Sequence, residues 1–189
     1  MKTMFQRGRV ALILAAFGLL MVAGPVSAEE RTCRGTIGAA TVDNLRVPQG
    51  ATCVLQGTIV KGTIKVERDA VLRTFGVRVV GNVQGENTQN VIVADGSRIG
   101  GSVQVKQGAK AKVVDSRVNA DIQFDDNDGK NVARRNVVGG NVQAFQNDGG
   151  VAIFGNRIDG NLQCKENSPR PTGGGNVVGG EKEDQCRGF

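Results

Sequence analysis

A nine-residue phrase recurs along this chain at nearly constant intervals, and it constrains the fold more than any other feature. The phrase reads TIVKGTIKV from Thr58, VRVVGNVQG from Val77, SRIGGSVQV from Ser97 and SRVNADIQF from Ser116. It continues as NVVGGNVQA from Asn136, NRIDGNLQC from Asn156 and NVVGGEKED from Asn176. Successive starts lie 19, 20, 19, 20, 20 and 20 residues apart, and a degenerate copy, ATVDNLRV, runs from Ala40 to Val47. A fixed period of this length identifies a chain built by stacking one short unit on the next.

The pattern within the phrase sets the element type. Its third residue is always branched and apolar: Val60, Val79, Ile99, Val118, Val138, Ile158 and Val178. Its seventh is apolar in the first six copies, at Ile64, Val83, Val103, Ile122, Val142 and Leu162. The ninth is usually apolar or small. Apolar residues at alternate positions describe strands with one face turned inward. Glycine holds the fifth position in six of the seven copies, with Ala120 the exception, and is expected to mark a corner between two short strands. Further alternating stretches follow, such as Val91-Ile92-Val93 and Val151-Ala152-Ile153. Units rich in Val, Ile, Gly and Asn are poor helix formers. The expected fold is therefore all-β: a single-domain parallel β-helix of about 7–8 coils of 19–20 residues. Right-handed winding follows from the general rule for parallel crossovers. Residues 29–57 would form an N-terminal cap and the first coils, 58–175 the repeat coils, and 176–189 a C-terminal cap.

This architecture resembles the parallel β-helices of pectate lyases, secreted adhesins and bactofilin-type proteins. The resemblance rests on the repeat and covers nearly all of residues 29–189, with no family-specific motif. A left-handed hexapeptide solenoid fits less well, because the period here exceeds 18 residues and lacks a six-residue apolar rhythm.

Residues 1–28 read as a signal peptide. Lys2, Arg7 and Arg9 precede an apolar run from Val10 to Gly24, and Val26-Ser27-Ala28 supplies small residues for cleavage. An uncleaved anchor is the alternative, but the run is short for a span of about 20 residues. Without the leader the basic count falls from 24 to 21 against 18 acids, a net charge of about +3. That balance does not point to nucleic acid, and no later segment is apolar enough to span a membrane. The expected location is secreted or periplasmic.

An exported chain is expected to oxidise its four cysteines. Cys33 and Cys53 are 20 residues apart and Cys164 and Cys186 are 22 apart, about one coil in each case. Stacked coils bring such residues within disulfide reach, so the expected bonds are 33–53 and 164–186. A redox or metal role for these cysteines lacks a CxxC pair or any histidine.

Three repeating outward positions are candidate binding residues: Gln84, Gln104, Gln123, Gln143 and Gln163 at the eighth, Arg78, Arg98, Arg117 and Arg157 at the second, and polar residues such as Asn82 and Asn141 at the sixth. Amide rows can stabilise stacked coils by hydrogen-bonding to one another. Stacked arginines repel, so that row needs neighbouring acids or an acidic envelope or matrix polymer as partner.

Asp125, Asp126 and Asp128 form either a solvated acidic turn or a Ca2+ site. No other cofactor is indicated. With no His, Trp or Tyr, the chain lacks the usual general base and sugar-stacking rings. A lyase-like enzyme would have to combine the acidic turn with Arg98 or Arg134. Rows of threonine, which ice binding would need, do not occur. The expectation is a non-catalytic exported scaffold or surface-binding protein, monomeric because Glu181, Lys182, Glu183 and Asp184 break the strand pattern at the last coil. A small polysaccharide-active enzyme is the alternative.

Overall fold

Each repeat folds into three short strands that turn around an apolar axis. The computed structural model describes residues 29–189, and the leader expected over residues 1–28 lies outside them. All strand pairings are parallel and form three sheets, with about eight coils in all. Sheet A has nine strands, from Glu30–Thr32 and Asn44–Val47 through Val142–Phe145 to Lys182–Asp184. Sheet B has eight, from Gly35–Ile37 to Thr172–Gly174, and sheet C has eight two-residue strands, from Thr41–Val42 to Val177–Val178. At the usual strand spacing the rod is roughly 40 Å long.

The inward positions of the phrase form continuous columns. Leu45, Ile64, Val83, Val103, Ile122, Val142 and Leu162 stack in register along sheet A, and all are fully buried. Phe124, the largest buried side chain, lies between Val105 and the small Ala144, so volume is balanced from coil to coil.

The corners follow a rule that alternation alone does not reveal. A residue in the left-handed region precedes an inward-pointing polar side chain. Asp126, Gln146 and Glu166 have φ of 55°, 55° and 57°, and each is followed by a buried asparagine, Asn127, Asn147 or Asn167. At the next corner Arg135 (φ 50°), Gly155 and Gly175 precede the buried Asn136, Asn156 and Asn176. The left-handed step reverses the parity of the strand and turns the amide toward the axis.

The fifth-position glycines mark the expected corner, here between a strand of sheet C and the next strand of sheet A. None of them lies in the left-handed region. They are needed because a side-chain oxygen of the preceding coil occupies the place of a Cβ: Asn82 Oδ1 above Gly101, Asp121 Oδ1 above Gly140 and Asn141 Oδ1 above Gly160. Ala120, the one exception, lies below the shorter Ser102 (Asp121 N–H donates to its hydroxyl, 3.2 Å). Gly140→Ala is therefore expected to destabilise by about 1–3 kcal/mol through overpacking, and a paired Asp121→Ser change to restore most of the loss. Urea unfolding of the single and double variants measures both.

Both expected disulfides are present, Cys33–Cys53 with Cα atoms 5.6 Å apart and Cys164–Cys186 with 5.2 Å. Neither joins strict register partners. Gly35 stands opposite Cys53 and Asp184 opposite Cys164, so Cys33 and Cys186 each sit two residues off, beside a corner. Near the second disulfide the Phe189 ring packs over Gly173 and against the core.

Candidate functional site

The outward surface divides chemically between the three sheets. Sheet A carries both signs of charge within its strands, including Glu86, Lys106, Asp125 and Glu183. The strands of sheets B and C contain no acidic residue at all, but they hold Arg73, Lys110, Lys112 and Arg134 (sheet B) and Arg78, Arg98, Arg117 and Arg157 (sheet C). This separation positions the candidate site.

On sheet A the expected glutamine row is a continuous ladder. Gln84 Nε2 donates to Gln104 Oε1 (3.2 Å), Gln104 to Gln123 (2.8 Å), Gln123 to Gln143 (2.9 Å) and Gln143 to Gln163 (2.7 Å). Gln163 donates in turn to Glu183 (3.0 Å), which also accepts from Asn161 Nδ2 (3.1 Å). The aligned amide dipoles thus end on a carboxylate at their donor end, with the cation Lys65 in register before Gln84 at the acceptor end. Gln104, Gln123, Gln143 and Gln163 each use one amide hydrogen and one lone pair within the ladder, and Gln84 one amide hydrogen.

The sixth-position residues are not free on the surface. Asn44, Thr63, Asn82, Ser102, Asp121, Asn141 and Asn161 each accept the backbone N–H of the next coil, and Ser102 is buried. Two further ladders run inside the corners. Asn147 Oδ1 accepts from Asn127 N–H and Nδ2, while Asn147 Nδ2 donates to the Phe124 carbonyl and to Asn167 Oδ1. Asn156 links Asn136, Asn176 and the Ala133 carbonyl in the same way. These buried amides went unread in the sequence. Their signal was available as the 20-residue spacing of Asn127, Asn147 and Asn167.

The acidic turn does not converge. Asp125 is paired with Lys106 (3.4 Å), Asp126 is the left-handed corner residue and accepts from Gln107, and between it and Asp128 the Asn127 side chain turns inward. Among the described residues no three His, Cys, Asp or Glu side chains come together to hold a metal ion. Nor are the residues of a lyase-like centre assembled, since Asp125, Arg134 and Arg98 lie on sheets A, B and C respectively. A depression of about 680 Å3 on sheet A is lined by residues of mixed charge, among them Lys65, Glu67, Glu86 and Lys106.

The arginine row on sheet C is different. The outward column reads Ile59, Arg78, Arg98, Arg117, Val137, Arg157, Val177 in successive coils. Arg78, Arg98 and Arg117 are exposed and adjacent, at one strand spacing from coil to coil. Of the four arginines only Arg157 approaches an acid, Asp159 at 3.9 Å, among the described residues. Comparison with protein-family models, curated proteins and solved structures gave no match to this chain. Some other cations are paired locally, such as Lys61 with Asp43 and Lys106 with Asp125. Arg135 and Asp115 form a double hydrogen bond (2.6 Å each), and the guanidinium holds the Asp115 carboxyl below the usual carboxylate range. Hydrogen bonds from Arg46 and the Gln49 N–H do the same for Glu67. Among the described residues no acid forms an ion pair with Arg78, Arg98 or Arg117, which stand in three consecutive coils.

Proposed function

We propose that this protein is an exported, non-catalytic, capped rod that holds to an acidic envelope or matrix polymer through the arginine row of sheet C. The observation that carries this reading is the run Arg78, Arg98, Arg117, three like charges in consecutive coils on a face whose strands contain no acid. Like charges in direct cross-strand register disfavour folding, and a linear polyanion lying along the rod removes that cost. Arginine suits the task because its planar fork meets carboxylate and phosphate with paired hydrogen bonds. The glutamine ladder supplies stiffness beside this face and is the scaffold of the proposal. Export is supported by the leader pattern in residues 1–28 and by two disulfides, which belong to an oxidising compartment.

The test uses dextran sulfate and polygalacturonate as probes. Binding is expected at low salt and should fall as salt rises, because exposed charges are screened. The triple variant Arg78→Glu, Arg98→Glu, Arg117→Glu should bind at least about tenfold more weakly while keeping close to the wild-type unfolding midpoint, since three like charges remain in register. Binding of both probes that is unchanged in the triple variant would refute the assignment.

A further inference from the structure

Sheet B carries a second cationic face, and its spacing differs from that of sheet C. The central outward column reads Val54, Arg73, Ile92, Lys112, Val132 in five consecutive coils. Cation and branched apolar residue alternate without interruption. Arg73 and Lys112 are exposed, while Val54, Ile92 and Val132 are half-buried. In the next outward column Phe75 and Phe154 are likewise half-buried, and Arg134 lies beside Phe154 with its guanidinium 6.0 Å from the ring centroid.

Separating cations by one coil relieves their repulsion, but that alone does not explain the residues between them. Sheet A fills its central outward column with hydrogen-bonding glutamines. Sheet B fills the same places with Val, Ile and Phe, side chains that prefer to leave water. A soluble polyanion would contact the cations and gain little from the apolar residues. A surface that offers anionic headgroups above an acyl layer satisfies both sets at once: Arg and Lys stems extend outward to the phosphates while the apolar residues between them meet the boundary. The strands of this sheet carry four cations and no acid, so the middle of the face is complementary to an anionic surface.

We infer that the outward face of sheet B docks the rod onto an anionic lipid surface. This extends the polymer-binding reading to a second, separate face, and the rod would then join an acidic polymer on sheet C to a membrane surface on sheet B.

The experiment is flotation of the protein, residues 29–189, with vesicles of phosphatidylcholine alone and of phosphatidylcholine with phosphatidylglycerol. Binding is expected only to the anionic vesicles. The pair Arg73→Glu, Lys112→Glu should lower the partition on the order of a hundredfold. The pair Ile92→Ser, Phe154→Ser, which leaves every charge in place, should lower it about tenfold. The sheet C triple variant should float like wild type, and its loss of dextran sulfate binding reports separately on the polymer reading. Equal partition to neutral and anionic vesicles, or no flotation at all, overturns the inference. So does a result in which Ile92→Ser, Phe154→Ser changes nothing while Arg73→Glu, Lys112→Glu abolishes dextran sulfate binding, since sheet B would then be a polyanion surface only. Unfolding midpoints of all variants serve as the folding control: Arg134→Glu replaces any cation variant, and Val54→Ser any apolar one, that fails to fold.

Discussion

Val142→Asp is expected to leave no cooperatively folded rod. Val142 sits mid-column, fully buried between Ile122 and Leu162. A carboxylate there has only apolar neighbours in the adjoining coils, with the nearest cation of the column, Lys182, two coils away, and it cannot reach water; an unpaired buried charge costs about 3–5 kcal/mol. A domain of this size holds about 5–15 kcal/mol in total. Because each coil contacts only its neighbours, the damage also interrupts the stacking on which both flanking halves depend. The adjacent Gln143→Ala tests the opposite face. It removes the ladder bonds from Gln123 and to Gln163, yet both partners remain half-exposed and water can replace the lost contacts. Its cost should be about 1 kcal/mol. Urea unfolding followed by circular dichroism compares the two, and equal destabilisation would show that the inward and outward assignment is wrong.

How much of this was legible beforehand follows from what alternation can encode. The period, the inward valines and the disulfide pairs were readable because stacked strands repeat residue for residue. The inward asparagines were not, because a period-two reading sends every polar residue outward. Asn147 shows what that reading omits. It is preceded by Gln146 at φ 55°, which reverses the parity, and its amide then accepts from the Asn127 N–H and donates to the Phe124 carbonyl of the preceding coil, while its own N–H donates to Asn167 Oδ1 of the next. Gln, Glu and Arg rarely adopt positive φ, so Gln146, Glu166 and Arg135 gave no local signal of the turn they make. The glycines were visible, but their cause was not, since it lies in the coil before: Asp121 explains Gly140, and Ser102 explains why Ala120 is tolerated. The arginine row was legible as a pattern. Its lack of acid partners became clear only when the sheet to which each acid belongs was known.

The ends of the same columns carry the second large prediction, that the rod stays a single copy until four side chains are changed. The inward column of sheet A begins at Arg31, in register with Leu45, and finishes at Lys182, in register with Leu162. The outward column beside it begins at Glu30, opposite Asn44, and finishes at Glu181, whose N–H bonds Asn161. A second copy continuing the sheets head to tail would set Arg31 on Lys182 and Glu30 on Glu181. Each pairing brings like charges to one strand spacing, and the first does so over the apolar core, where solvent cannot screen it. Charge on an open edge is a general defence against such addition. The Glu30→Thr, Arg31→Leu, Glu181→Asn, Lys182→Leu variant replaces these four residues with the types found in the interior coils. It is expected to assemble into rods whose mass grows with concentration, while the wild type sediments as one monomeric species over the same range. Sedimentation velocity on oxidised samples distinguishes the two. Filaments from the wild type with both disulfides intact would remove the case for a capped rod. A variant that remains monomeric would instead transfer the capping role to Phe189, whose ring covers Gly173 at the end of sheet B.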